Sequence, residues 1–159
     1  MVATDHQTLL LCRMGQWMYG LPIDQVRETM RPLPIEPLAG APPYVRGLAV
    51  IRGAPTPVLD AAILLGGEPA GISRFVTLGG ASRVVALAVE SVVGIRAIAQ
   101  ATFQEMPPLL RDVGGDAISA IGTLDAELLL LLRAGRLVPA GLWAALEQAE
   151  QARQVERTP

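Results

Sequence analysis

Arg52 and Gly53 sit between two apolar runs, Gly47–Ile51 and Ala54–Asp60. The apolar and β-branched residues on both sides favour strands, and Gly53 supplies the positive φ that a tight corner needs. Pro55 and Pro57 lack a backbone donor, so the second strand is expected to begin at an edge or a bend. A guanidinium at such a corner either pairs with a carboxylate of its own chain or points outward to a partner. Its forked donors suit carboxylate recognition. A second charged strand is expected over Val26–Arg31. Within it Arg27 and Glu28 point to opposite faces, while Val26 and Glu28 share one. An apolar side chain beside a carboxylate suits a helical partner, although an ordinary surface strand has the same pattern.

Catalytic chemistry finds little support. There is no GxSxG elbow, no HExxH, no GxGxxG after a strand, and no pair of carboxylates on one helix face. All 13 basic residues are arginine, so no lysine Schiff base, P-loop lysine or Ser-Lys dyad can form. The single Cys12 excludes an internal disulfide and reads as a buried, inert thiol. The single His6 falls in a polar N-terminal stretch and reads as a tail residue rather than a base or metal ligand. Asp112 and Asp116 lie in a Gly-rich loop and read as turn formers. Asp60 and Glu90 each follow an apolar strand, where each is either a buried acid or the cap of what comes next. No metal or cofactor site is expected.

The elements around these residues are short. Thr8–Met14 and Trp17–Leu21 form a hairpin about Gly15-Gln16, with glycine first as a type II′ turn prefers. Pro32, Pro34, Pro37, Pro42 and Pro43 forbid regular structure and leave a surface connection. Ala61–Leu65 is expected as a short helix ended by Gly66-Gly67. A second hairpin joins Ser73–Leu78 to Ser82–Val89, followed by a strand over Val92–Ile98. Ala117–Leu124 pairs with Leu128–Leu132 through Asp125-Ala126, and the leucine run reads as a strand buried on both faces. Leu137, Leu142, Trp143 and Leu146 mark a C-terminal amphipathic helix.

With 51% apolar and 18% charged residues, the 159-residue chain can bury a substantial core. A formal charge of -2 gives no electrostatic case for nucleic acid or anionic lipid. The longest apolar run, Val84–Val89, falls far short of the ~18 residues of a membrane span, and no signal-peptide pattern opens the chain. A cytoplasmic location is expected. The two halves share an outline of hairpin, strand, long loop and two strands, without a residue-level repeat.

Taken in order, several segments resemble the CheW-like domain of bacterial chemotaxis coupling proteins, over about 8–145. They are Leu9–Leu21 with Gly15, Tyr19 and Pro22-Ile23-Asp24; Val26-Arg27-Glu28; and Pro42-Pro43-Tyr44-Val45-Arg46-Gly47. Arg52-Gly53 with Pro57-Val58-Leu59-Asp60 follows, then Arg83–Glu90 with Val92-Val93-Gly94, and late in the chain Ile121-Gly122 and the leucine strand. The resemblance implies a mostly β fold of two five-stranded SH3-like β-barrels sharing an apolar seam, with a C-terminal α-helix. A single domain over 8–145 would hold a first barrel near 8–65 and a second near 73–133, with strand exchange between them allowed. The helix would span about 139–153, with flexible tails at 1–7 and 154–159. It implies a non-catalytic adaptor coupling the cytoplasmic tip of a chemoreceptor to the regulatory domain of a CheA-type histidine kinase, recruited to membrane-associated receptor arrays. The tip would enter a groove between barrels, and the kinase would bind barrel ends. Val26, Glu28, Gly47 and Arg52, with Gly53 at the corner, match family positions implicated in coupling. Val50 replaces a usual asparagine, Ala61-Ala62 a usual Leu-Arg, and Ala86 a common glycine. These departures leave open an auxiliary protein with another partner set, in pili or development. A small-ligand-binding β-barrel is the remaining alternative.

Overall fold

The computed structural model describes residues 5–69, 71–79, 83–108 and 117–133, together with Leu137 and Gln148. Among the described residues eleven strands run in chain order: β1 (His6–Met14), β2 (Trp17–Pro22), β3 (Val26–Met30), β4 (Val45–Ile51), β5 (Ala54–Asp60), β6 (Arg74–Gly79), β7 (Val84–Val89), β8 (Ser91–Ala99), β9 (Gln104–Glu105), β10 (Ile118–Leu124) and β11 (Glu127–Leu132). One helical turn, α1 (Ala61–Leu64), follows β5. The protein is mostly β, as expected. The helix expected over about 139–153 and the tail 154–159 lie, Gln148 apart, outside the described residues.

Two mixed sheets form, in the orders β8-β1-β2-β11-β10-β9 and β3-β6-β7-β5-β4. The short β9 makes the first sheet six-stranded rather than five-stranded. Membership does not follow the chain halves 8–65 and 73–133. The hairpin β1-β2 joins the late strands, and β6-β7 joins the early ones, so each sheet draws strands from both halves of the chain. The small-residue stretch 66–71 therefore links strands of one sheet. Both hairpins carry long apolar stretches, Leu9–Cys12 and Val84–Val89 among them, and a central place in each sheet gives these neighbours on both edges and cover on both faces.

The core confirms this. Along β1, Leu9 and Leu11 pack inside the first sheet with Met18, Ile98 and Leu129, while Leu10, Cys12 and Met14 face the seam. Along β6 and β7, Phe75, Ala86 and Ala88 pack inside the second sheet, while Val76, Leu78, Val85, Leu87 and Val89 face the same seam. In β11, Leu129 turns one way and Leu130 and Leu132 the other. Strand alternation thus sends consecutive apolar residues into different cores.

The sheets repeat each other at the level of register. The pairings β3–β6–β7–β5–β4 and β8–β1–β2–β11–β10 each run antiparallel, antiparallel, parallel, antiparallel. Their bulges coincide. Arg27 is skipped on β3 and Val93 on β8; Arg46 is skipped on β4 and Ser119 on β10. The corners coincide too: Arg52-Gly53 has φ of 50° and 77°, and Asp125-Ala126 has φ of 51° and 66°. Both are two-residue loops of the type I′ kind, whose twist suits paired strands. No residue type is shared at these positions, which is why the repeat is silent in the sequence.

Three local expectations gain detail. Pro55 and Pro57 face β4, and β5 meets its other neighbour, β7, only from Val58 onward. The prolines therefore occupy the part of β5 with one strand neighbour. Gly66 and Gly67 end α1 with bonds to Ile63 O (3.0 Å) and Ala62 O (2.8 Å), the paired C-terminal closure that a positive-φ glycine allows. His6 belongs to β1, opposite Ala99, rather than to a tail. The β8 edge template is long enough to order it.

Candidate functional site

β3 is an edge strand of its sheet, and the β4–β5 corner reaches it without backbone pairing. The Arg52 guanidinium closes the gap. Its Nε donates to Glu28 Oε2 at 2.9 Å and Oε1 at 3.1 Å, and its Nη2 donates to Oε2 at 2.7 Å. Arg52 pairs within the chain, and its side chain remains 79% exposed against 29% for Glu28. The hydrogen bond and then the charge of Glu28 push the guanidinium pKa further up. An exposed ion pair contributes little to stability. The pair instead fixes a forked cation on a non-glycine residue held in left-handed backbone, an arrangement that clusters at functional positions.

The other expected site residues divide. Gly53 adopts φ +77°, and a Cβ there would meet nothing within 4 Å, so glycine serves the turn and not a close contact. Val26 is half-buried, lies opposite Leu78 and packs against the seam core, whereas Glu28 lies opposite Thr77, the next residue along β6; the bulge at Arg27 breaks the alternation, so Val26 and Glu28 do not share a face as expected. Gly47 is buried, and a Cβ there would lie 2.1 Å from Glu36 O. It supports the Pro-rich connection, which bridges Leu48 through bonds of 2.8 and 2.9 Å at Glu36. The structure thus brings together Glu28 and Arg52, with Gly53 in the same corner, while Val26 faces the seam core and Gly47 lies against the Pro-rich connection. Two residues escaped sequence reading as members of the site. Val50, two before the corner, is 67% exposed, and strand alternation from Val45 could have placed it outward. Thr77 is buried beneath Glu28, and its sequence neighbours give no sign of it.

Asp60 is both buried acid and cap. Its Oδ2 accepts from Arg46 Nε (3.0 Å) and Nη2 (2.8 Å), and its Oδ1 accepts from Ile63 N (3.2 Å) at the start of α1. Asp60→Ala removes a cap and one member of a partly buried pair, so we expect a loss of about 2–4 kcal/mol in urea denaturation. Glu90 acts at the other end of the seam, accepting from Gly15 N at 2.9 Å and so tying the β1–β2 turn to the end of β7.

Between that turn and α1 lies a groove of about 530 Å³, lined by Met14–Trp17, Tyr19, Ala62 and Leu65–Pro69. Trp17 presents a partly exposed indole there, and Ala62 forms part of the opposite wall. Burial pushes the Cys12 thiol and the Tyr19 phenol each up to about 12, so neither is a nucleophile at neutral pH. Among the described residues no group of three His, Cys, Asp or Glu could hold a metal ion.

Comparison with known proteins agrees with this geometry. The model of the CheW-like domain family matches residues 8–141. The chain is 27% identical to the chemotaxis protein CheW of Rhizobium meliloti over 134 residues, covering 82% of this chain and 86% of that protein. It is 33% identical to the protein FrzA of Myxococcus xanthus over 131 residues, covering 79% and 78% respectively. The crystal structure of the scaffolding protein TtCheW from Thermoanaerobacter tengcongensis superposes with a TM-score of 0.73 at 21% identity, covering 84% of this chain and 92% of that one. At that identity the superposition speaks for the fold.

Proposed function

The chain belongs to the CheW-like domain family, and on that premise we propose that it is a non-catalytic scaffold coupling chemoreceptor tips to a CheA-type histidine kinase. The Glu28–Arg52 corner carries the proposal. A strained, exposed, bidentate pair that adds little stability is suited to recognition, because it offers a preoriented fork at little entropic cost. Gly53 and the exposed Val50 flank it, and Gly47 supports the Pro-rich connection. The groove between the two sheets accepts the helical tip, with Trp17 as an apolar anchor. The kinase regulatory domain docks at the sheet ends. Among the described residues no helix is long and apolar enough to cross a membrane, and we place the protein in the cytoplasm, at receptor arrays.

The test is capture of a soluble receptor-tip fragment and of a kinase regulatory fragment, followed by co-sedimentation with a kinase–receptor array. Arg52→Ala should melt like the wild type and bind at least one fragment more weakly. A large fall in melting temperature with unchanged capture would refute the interface reading.

Val50, Ala61 and Ala62 favour a second reading, an auxiliary scaffold with a divergent partner set in a chemotaxis-like system, such as one serving pili or development. Val50 is exposed beside the corner, and Ala62 lines the groove, so two of the three substitutions fall on the proposed contact surfaces. Restoring Val50→Asn and Ala62→Arg should then improve binding to fragments from a flagellar system. A small-ligand barrel draws no such support. The buried polar side chains among the described residues, Thr56, Asp60 and Thr77, are all bonded within the protein.

A further inference from the structure

Of the three buried polar side chains, Thr77 alone bonds to the partner-facing corner. Thr56 bonds Ala54 O within its own turn, and Asp60 holds Arg46 and α1. Thr77 Oγ1 accepts from Glu28 N at 3.1 Å and donates to Glu28 O at 3.3 Å. Both bonds go to the backbone of the one residue whose carboxylate grips Arg52. They fall where the β3–β6 ladder skips Arg27, so the hydroxyl supplies partners that regular pairing loses at a bulge. A β-branched side chain has few χ1 choices, and packing in β6 fixes the direction of this hydroxyl.

The internal repeat provides a control. Position 77 corresponds to Leu11, and position 28 corresponds to Gly94, which Leu11 faces across the equivalent bulge. There the bulge forms with no hydroxyl beneath it. The bulge itself therefore does not require one. The hydroxyl appears on the sheet whose bulged strand carries a charged side chain to be aimed.

We propose that Thr77 is a positioning residue for partner binding, its hydroxyl fixing the backbone at Glu28 so that the carboxylate holds the Arg52 fork in one orientation. The proposal rests on the reading of the corner as a binding site. It separates two roles that a stability measurement alone would merge, because removing a buried hydroxyl destabilises a protein whether or not it aims anything.

Two readouts on Thr77→Val, Thr77→Ser and Glu28→Gln test it. The first is the Arg52 Nε–H resonance in the free, 15N-labelled protein, assigned by its loss in Arg52→Ala. The second is affinity for the kinase regulatory fragment and for the receptor-tip fragment. Thr77→Val should move the resonance toward that of Glu28→Gln and weaken binding by roughly five- to tenfold, the scale of one or two lost hydrogen bonds. Thr77→Ser should keep both near wild type, and Thr77→Val added to Glu28→Gln should weaken binding no further. Thr77→Ala repeats the test if the valine variant does not fold. A Thr77→Val protein that is less stable yet keeps the wild-type resonance and affinity overturns the proposal, as does a serine variant that behaves like valine. Unchanged affinity in Glu28→Gln removes the premise itself. Weakened affinity there, beside wild-type affinity in Thr77→Val, sinks only the positioning role.

Discussion

Glu28→Arg is expected to abolish most partner binding while leaving the protein folded. The substitution sets two guanidinium groups side by side where Glu28 now receives three bonds from Arg52. The fork loses its orientation, and the site changes polarity. Loss of a charge-assisted contact and its replacement by like-charge conflict at a desolvated interface corresponds to roughly 10- to 100-fold in affinity. Little stability is at stake, because the pair is exposed and the strand keeps its backbone bonds. The exchange Glu28→Arg with Arg52→Glu sharpens the test. It restores an intramolecular pair, so the corner should regain its geometry, but it presents the opposite polarity to the partner. Affinity should therefore stay low in the double variant. Recovery would mean that the pair matters only for the shape of the corner. Calorimetric titration against receptor-tip and kinase regulatory fragments reads all three cases, and unaltered affinity in Glu28→Arg for both fragments would move the site elsewhere on the molecule.

Local chemistry was legible wherever a residue's own conformational limits decide the outcome. Gly15 and Gly53 mark corners because they reach positive φ, the prolines of 32–43 leave a connection without regular strand, and Asp60 caps the turn that follows it. The CheW-like resemblance could be read for a related reason: its pieces are such corners and caps in a fixed order. What could not be read depends on which strand lies beside which. Leu9–Cys12, Val84–Val89 and Leu128–Leu132 are apolar without a break because each strand faces two cores. Such runs carry no period that would assign a sheet, so local sequence does not determine which sheet each of the two hairpins joins. The Glu28–Arg52 pair shows the same limit at the site. Twenty-four positions separate the partners, and each read alone as a lone charge on a strand or corner. The meeting of β3 with the β4–β5 turn is a property of the folded sheet, whose two edge strands no local signal brings together, and Thr77 is tied to them through a bulge that no residue type announces.

Gly47 matches a contact position by family resemblance, and its surroundings argue for a different role with a large expected cost. A Cβ at this position would stand 2.1 Å from Glu36 O, 2.7 Å from Glu36 C and 2.9 Å from Pro37 Cα, all backbone atoms, and φ is +141°. No side-chain rotation relieves that overlap. Either β4 or the connection must shift, and the two bonds joining Glu36 to Leu48 would be strained or lost. Gly47→Ala should therefore destabilise the protein by about 3–5 kcal/mol, combining overpacking, left-handed strain and weakened backbone bonds. Gly53→Ala provides the contrast. Nothing lies within 4 Å of its Cβ, so only the turn conformation resists, at about 1 kcal/mol. Urea denaturation of both variants, with amide exchange followed at Glu36 and Leu48, measures the difference. If Gly47 acts as a support, coupling should fail in Gly47→Ala in step with loss of folded protein and with early exchange at those two amides. A Gly47→Ala protein of wild-type stability that no longer binds would show instead that this position touches the partner, and that the connection over it can move aside.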